Sequence, residues 1–140
     1  MSRANLEAVR EVISAVNERD ADRYLAHCTE DIQLHSPLSA VEGVYEGADA
    51  IRRYFSDIDD TIPDFRLTIE RLQPIGADRV LALLHFSATG RTSGMSAVLP
   101  SATGDALPVA SVYDVADGKI SRIRIFLDRA EALEALGLRE

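Results

Sequence analysis

Three side chains in this sequence could take part in proton transfer. His35 and Ser36 end the segment "DIQLHSP", and His85 lies inside "VLALLHFSA". An imidazole titrates near neutrality and can act as a general acid or base. A serine hydroxyl has a very high pKa and cannot take a carbon-bound proton without a base beside it. The sequence therefore offers two candidate catalytic histidines, His35 and His85, and one candidate hydrogen-bond donor.

The alternation of side chains along a strand separates His35 from Ser36. In "DIQLHSP", Ile32 and Leu34 share one face, and Ser36 follows them in phase. If the apolar face points inward, Ser36 points inward and His35 lies on the outer face. His85 has apolar neighbours on both sides, which leaves two alternatives. It is either a hydrogen-bonded histidine in the core or an interface, or a general base that faces a pocket.

The residue types that bind metals are sparse. Cys28 is the only cysteine, and the three histidines do not follow the spacing of a metal site. We expect no bound metal and no cofactor.

Composition and charge narrow the classes of partner. The chain has 140 residues and a formal net charge of −8, which disfavours binding to nucleic acid or to an anionic membrane surface. No apolar run approaches the ~20 residues of a membrane span, and the first residues lack the apolar core of a signal peptide. We expect one domain over residues 1–140, located in the cytoplasm.

The predicted elements place the candidate residues in an α+β fold. Two amphipathic helices precede the strand that carries His35; a short strand near Val44 and a third helix beginning near Gly47 follow. Four long strands and a terminal helix with Asp128 as its N-cap complete the chain. This order predicts a strongly curved, mostly antiparallel sheet wrapped around N-terminal helices, with a conical pocket between them.

Several features suggest a ligand and a second subunit. Five aromatic or soft apolar side chains could line a site for a lipophilic ligand or belong to an ordinary core. They are Tyr24, Tyr54, Phe55, Met95 and Tyr113. The strand "VLALLHFSATG" is apolar on both faces, which suggests a homodimer. The connection over residues 91–108 is rich in small residues and is either a lid or a hairpin tip.

Four segments resemble one known superfamily. They are "NERDADRYLAHCTEDIQLHSP", "YEGADAIRRYF", "DVADGKISRIRIFLD" and the helix that follows. With the strands between them, they resemble the nuclear transport factor 2-like superfamily and, within it, the SnoaL-like polyketide cyclases and ketosteroid isomerase-like domains. The resemblance implies an α+β cone that hosts isomerases, cyclases, dehydratases, hydrolases and non-enzymatic domains.

The acidic residues of those enzymes are replaced at the matching positions. Resemblance to ketosteroid isomerases places their general base at Ser36, their second carboxyl group at Ser111 and their first-helix tyrosine near Val12. In the last strand, polyketide cyclases and limonene-epoxide hydrolases keep an aspartate three residues before the residue that matches Asp128. Here that position is Ile125.

Two function hypotheses follow. In the first, the protein is a cofactor-independent isomerase, cyclase, dehydratase or hydrolase acting on a small apolar molecule. His85 or His35 then moves the proton, while Ser36, Ser111 and Tyr113 donate hydrogen bonds to a developing oxyanion. In the second, it is a non-catalytic ligand-binding or dimerisation domain that has lost the acidic residues. The two differ in whether a titratable side chain enters the cone.

Overall fold

The computed structural model describes residues 2–36, 44–61, 66–87 and 107–137 of the chain. The helices are α1 (Ser2–Glu18), α2 (Ala21–Ala26), α3 (Ala48–Thr61) and α4 (Arg129–Ala135). The strands are β1 (Cys28–His35), β2 (Tyr45–Glu46), β3 (Arg66–Ile75), β4 (Arg79–Ser87), β5 (Leu107–Ala116) and β6 (Lys119–Phe126). Met95 and residues 91–106 of the predicted connection lie outside the described residues.

The six strands form one open sheet in the order β2-β1-β6-β5-β4-β3. All neighbours are antiparallel except β1 and β6, which run parallel. Strands β3 to β6 are consecutive in the sequence and adjacent in the sheet. In contrast, β1 and β6 are adjacent in the sheet although they are far apart in the sequence. The predicted α+β class with a mostly antiparallel sheet is confirmed.

The main core lies between the sheet and the first three helices. We call the sheet face on this side the inner face. Val9, Val12, Ile13 and Val16 on α1 are almost fully buried, as their helical spacing predicts. The buried strand residues of the same core include Ile32, Leu34, Val80, Ala82, Leu84, Val109, Tyr113, Val115, Ile120 and Ile123. Helices α1 to α3 therefore cover the inner face.

The opposite, outer face carries a second and smaller core. Leu81 and Val112 on this face form a cluster with Ala132 of α4, and Leu133 and Leu136 pack against it. The terminal helix of the same chain therefore covers apolar outer residues of β4. The apolar outer face that suggested a homodimer is thus partly covered within the chain, and the homodimer itself stays a prediction.

Helix ends and turns match the residues that predict them. Asp20 and Asp128 each cap a helix, accepting hydrogen bonds from the backbone N–H groups of Arg23 and Ala130. Gly118 adopts a φ of +75° in the tight turn between β5 and β6, a conformation that favours glycine. These local signals set where the elements begin and end.

None of the helices in the described ranges combines the length and apolar composition that a membrane-spanning helix requires.

Candidate functional site

A small cavity lies at the centre of the inner face, where three helices meet the sheet. Its volume is about 20 Å³, which is room for about one water molecule. The residues that line it are Val12, Ile13 and Val16 of α1, Tyr24 of α2, Tyr54 of α3, Leu67 of β3, Ser111 and Tyr113 of β5, and Ile123 and Ile125 of β6. The cavity is thus an apolar chamber with four hydroxyl-bearing side chains in its wall.

The phenols in this wall are held in their neutral form. Burial raises the pKa of Tyr24, Tyr54 and Tyr113 above the usual range of tyrosine. The pKa of Tyr113 rises despite a hydrogen bond to its phenol from Ser111, which acts in the opposite direction. At neutral pH these side chains are neutral donors and acceptors of hydrogen bonds, and none is a base.

Cys28 lies beside this group of phenols. Its thiol is buried and donates a hydrogen bond of 3.3 Å to the backbone carbonyl of Tyr24. Burial raises the pKa of the Cys28 thiol to about 12, so it is not a thiolate at neutral pH. Because the thiolate is the nucleophilic form, this cysteine has the character of a structural residue.

A larger groove opens next to the cavity, between α1 and the edge strand β3. Its volume is about 330 Å³, and its wall combines Arg10, Ser14, Asn17, Glu18, Arg66 and Thr68 with the apolar residues Ile13, Leu67 and Ile69. Ile13 and Leu67 line both the groove and the inner cavity. These two side chains therefore lie between the polar groove and the small apolar chamber, and we call the pair the partition.

His35 lies outside the chamber. It follows buried Leu34 by one residue and pairs in register with Arg124 of β6, and its Nε2 is 3.4 Å from Oε1 of Gln33. Ile32 and Leu34 are fully buried against the helices. The alternation of β1 therefore puts His35 on the outer face, as one of the two readings of the sequence predicts.

His85 also lies on the outer face, between the inner residues Leu84 and Phe86. Its Nε2 is 2.8 Å from Oε1 of Glu70, and the same oxygen accepts a hydrogen bond from Arg129 of α4. The expectation that His85 could face the cone is corrected: strand alternation directs it to the side of α4. A proton-transfer role for either histidine in the cone has no support from this geometry.

The other predicted site residues divide into those on the cavity wall and those away from it. Tyr24, Tyr54, Ser111, Tyr113 and Ile125 are on the wall. Ser36 is buried at the end of β1, in phase with Leu34, and Phe55 packs edge-on against Tyr24 with ring centroids 5.2 Å apart. Neither of these two belongs to the wall, and Met95 is outside the described residues. Their roles in binding stay predictions.

Sequence reasoning did not select the α1 side of the cavity or the partition residues. In the sequence, the spacing of Ile13 and Val16 indicates only an apolar helix face, and that of Leu67 only an alternating strand residue. Periodicity shows that a side chain is buried but not whether it contacts another side chain or a void. Val12, which matches the first-helix tyrosine of the isomerases, is on the cavity wall.

In the ranges that the structure describes, no three histidine, cysteine, aspartate or glutamate side chains are grouped so that they could hold a metal ion.

One family model matches this chain, and solved structures share its fold. The model of the SnoaL-like domain matches residues 9–123. A cystatin-fold protein from Novosphingobium aromaticivorans is similar, with 26% identity, a TM-score of 0.66, and coverage of 87% of this chain and 97% of its own. No curated protein matches the sequence.

Two further solved structures show the same fold at lower identity. A putative polyketide cyclase from Xanthomonas campestris has 22% identity and a TM-score of 0.63, covering 96% of this chain and 97% of its own. A ketosteroid isomerase-like protein from Catenulispora acidiphila, in complex with trimethylamine, has 16% identity and a TM-score of 0.70, covering 95% and 94%. With the family model matching most of its length, this chain belongs to the SnoaL-like domain family.

Proposed function

We propose that this domain binds a small, neutral, mostly apolar molecule that carries a polar oxygen, in the chamber lined by Tyr24, Tyr54, Ser111 and Tyr113. The observation behind the proposal is the composition of the described wall, which pairs apolar side chains with neutral hydroxyl groups and contains no carboxylate or imidazole. Such a wall favours a neutral ligand, because an unpaired charge would lose its hydration without compensation.

The ligand reaches the chamber through the groove between α1 and β3. A volume of about 20 Å³ is too small for an organic ligand, whereas the groove, at about 330 Å³, is within the range of small-molecule sites. Among the residues that the structure describes, only Ile13 and Leu67 belong to both walls. Binding therefore requires these two side chains to move apart, so that the groove and chamber become one site.

A second candidate function is cofactor-independent catalysis, as an isomerase, cyclase, dehydratase or hydrolase on a small apolar substrate. The observation that favours it is the convergence of Tyr54, Ser111 and Tyr113 on one chamber, because neutral donors in a dry site can stabilise a developing oxyanion. The described wall supplies no general base, so the proton acceptor would be a group of the substrate. Binding without turnover is the better supported function.

A titration with a fluorescent probe tests the binding proposal. Prodan is a neutral aromatic ketone whose emission shifts to the blue in an apolar site, and we expect saturable binding with one site per chain. Tyr113→Phe removes a hydroxyl from the chamber wall and should weaken binding by about five- to tenfold, the loss of one hydrogen bond.

Tyr45→Phe is the matched control. Tyr45 is fully buried, and its hydroxyl donates a hydrogen bond of 2.6 Å to Asp57, away from the chamber wall. It should bind prodan as the wild type does. Absence of saturable binding, or equal weakening in both variants, would refute the proposal.

A homodimer and a cytoplasmic location also remain proposals for this protein. Light scattering at micromolar concentration tests the homodimer, and a mass of one chain would exclude it under those conditions.

A further inference from the structure

Four polar side chains form a row across the outer face, on the side of the sheet opposite the chamber. Gln33, Arg122, Asp114 and Arg79 pair in register across strands β1, β6, β5 and β4. Arg124 stands two residues from Arg122 on the same strand, so alternation puts it on the same face. Three arginines therefore surround one aspartate.

The contacts within this cluster leave positive charge in excess. Arg122 donates from Nε to Oδ2 of Asp114 over 2.9 Å, and its Nη2 is also 2.9 Å from this oxygen. The other oxygen, Oδ1, is 3.3 Å from Nε of Arg79 and 3.7 Å from Nη2 of Arg124. A single carboxylate thus faces three guanidinium groups.

Arg124 is the arginine of this cluster with unpaired donors. Its Nε and Nη2 atoms are buried and have no hydrogen-bond partner in the part of the chain that the structure describes, and the same is true of Oδ1 of Asp114. Burial, together with the charges of Arg122 and Arg79, lowers the pKa of Arg124 against the opposing effect of Asp114. Buried donors without partners are costly, and structures normally satisfy them with a protein group, water or an ion.

We propose that Arg79, Arg122 and Arg124 form a binding site for a small oxyanion, a carboxylate or a phosphate. An oxygen of the anion accepts hydrogen bonds from Nε and Nη2 of Arg124, the planar pair of donors that suits such groups. The side chains of Arg79 and Arg122 are 39% and 37% exposed, so an anion approaches from solvent beside these two, and Arg124 must rotate to present its buried Nε and Nη2 atoms to it. The site is independent of the ligand chamber, because it lies on the other face of the sheet.

The neighbouring ionisable groups on this face are compatible with an anion. Glu46 pairs with Gln33 at the far end of the row, so two strands separate it from Asp114. His35 pairs in register with Arg124 and adds positive charge when it is protonated. The chain as a whole has a net charge of −8, so binding at this cluster is local rather than a consequence of overall charge.

Isothermal titration calorimetry of the full chain tests the proposal. Inorganic phosphate and acetate are titrated separately, and sodium chloride keeps the ionic strength constant. The two arms distinguish a phosphate from a carboxylate ligand. We expect saturable binding of at least one of them, with a change in the NMR resonance of the Arg124 Nε–H group. Arg124→Gln should weaken binding at least about tenfold, because a charged pair of donors is lost.

Arg122→Gln is the second variant, in case Arg124→Gln fails to fold, and it should also weaken binding. Arg3→Gln, an exposed substitution on α1, is the matched control and should bind as the wild type does. The proposal is overturned if neither anion binds, if chloride alone reproduces the effect, or if the folded cluster variants bind as tightly as Arg3→Gln.

Discussion

Asn17 and Leu67 form two hydrogen bonds that join the first helix to the edge of the sheet. Nδ2 of Asn17 donates to the carbonyl of Leu67, the backbone N–H of Leu67 donates to Oδ1 of Asn17, and both distances are 2.8 Å. The side-chain amide takes the place that a neighbouring strand would occupy. Exposed strand edges invite pairing with other chains, so Asn17 both protects β3 and holds Leu67 at the partition of the ligand site.

We expect Asn17→Ala to lower the free energy of unfolding by about 1–3 kcal/mol, because it leaves two backbone groups of β3 without partners. Amide hydrogen exchange at Leu67 should become faster. Asn5→Ala is the matched control: Asn5 forms similar bonds with Ala77 and Gly118 at the other end of α1. It should speed exchange at Gly118 and not at Leu67; unchanged exchange at Leu67 in Asn17→Ala would contradict this account.

The buried phenols and thiol predict a loss of stability at alkaline pH. Burial raises the pKa of Cys28 to about 12. It also raises the pKa of Tyr54 and of Tyr113 well above the usual value of a tyrosine. As pH rises above the unfolded-state values, the unfolded chain releases protons that the folded chain keeps. The free energy of unfolding then falls, by about 1.4 kcal/mol per pH unit for each group.

Urea unfolding followed between pH 8 and 11 measures this effect. Tyr54→Phe removes one of these groups and should make the decline near the upper end of that range shallower. An identical slope in wild type and variant would mean that Tyr54 ionises as easily in the folded protein as in the unfolded chain.

Cys28 should resist alkylation in the folded protein. Its thiol is buried and its pKa is raised to about 12, so the reactive thiolate is scarce at neutral pH. Mass spectrometry after treatment with iodoacetamide at pH 7.5 should show little labelling, and complete labelling in denaturing urea. Rapid labelling under native conditions would show that this part of the core opens readily.

Glu70 should contribute to stability at neutral pH and lose that contribution in acid. Its hydrogen bond to Arg129 lowers its pKa, opposed by burial and reinforced by His85. Because the pKa of Glu70 is lower in the folded protein than in the unfolded chain, Glu70 adds to the free energy of unfolding at pH values above its unfolded-state pKa. This contribution is lost as the pH falls through its folded-state pKa. Glu70→Gln should therefore flatten the dependence of the urea midpoint on pH below about 4.5, whereas Glu7→Gln, on the exposed surface of α1, should not.

A smaller side chain at Ile13 should ease entry of a ligand into the chamber. Ile13→Val removes one methyl group from the partition and should cost about 0.5–1.5 kcal/mol of stability. The association rate of prodan, measured by stopped flow, should rise. Ile58→Val removes the same group from a buried position of α3 outside the chamber; an equal change in rate would show that general loosening, not the partition, governs entry.

The sequence predicted the faces of the strands better than the contents of the pocket. The alternation of Ile32 and Leu34 predicts that His35 lies on the outer face, and the structure has it there. Alternation could not decide His85, because β4 is apolar on both faces. The packing of Leu84 and Phe86 in the main core decides it, and His85 then lies on the outer face beside Glu70.

The sequence by itself determined the element order, the caps at Asp20 and Asp128, and membership of the SnoaL-like domain family. Those features follow from periodicity and local hydrogen bonding, which act over a few residues. Only the tertiary structure decided that Ile13 and Leu67 lie between a groove and a chamber, and that the Nε and Nη2 atoms of Arg124 are buried beside Asp114. Each depends on elements distant in sequence meeting at a particular distance, which no local pattern encodes.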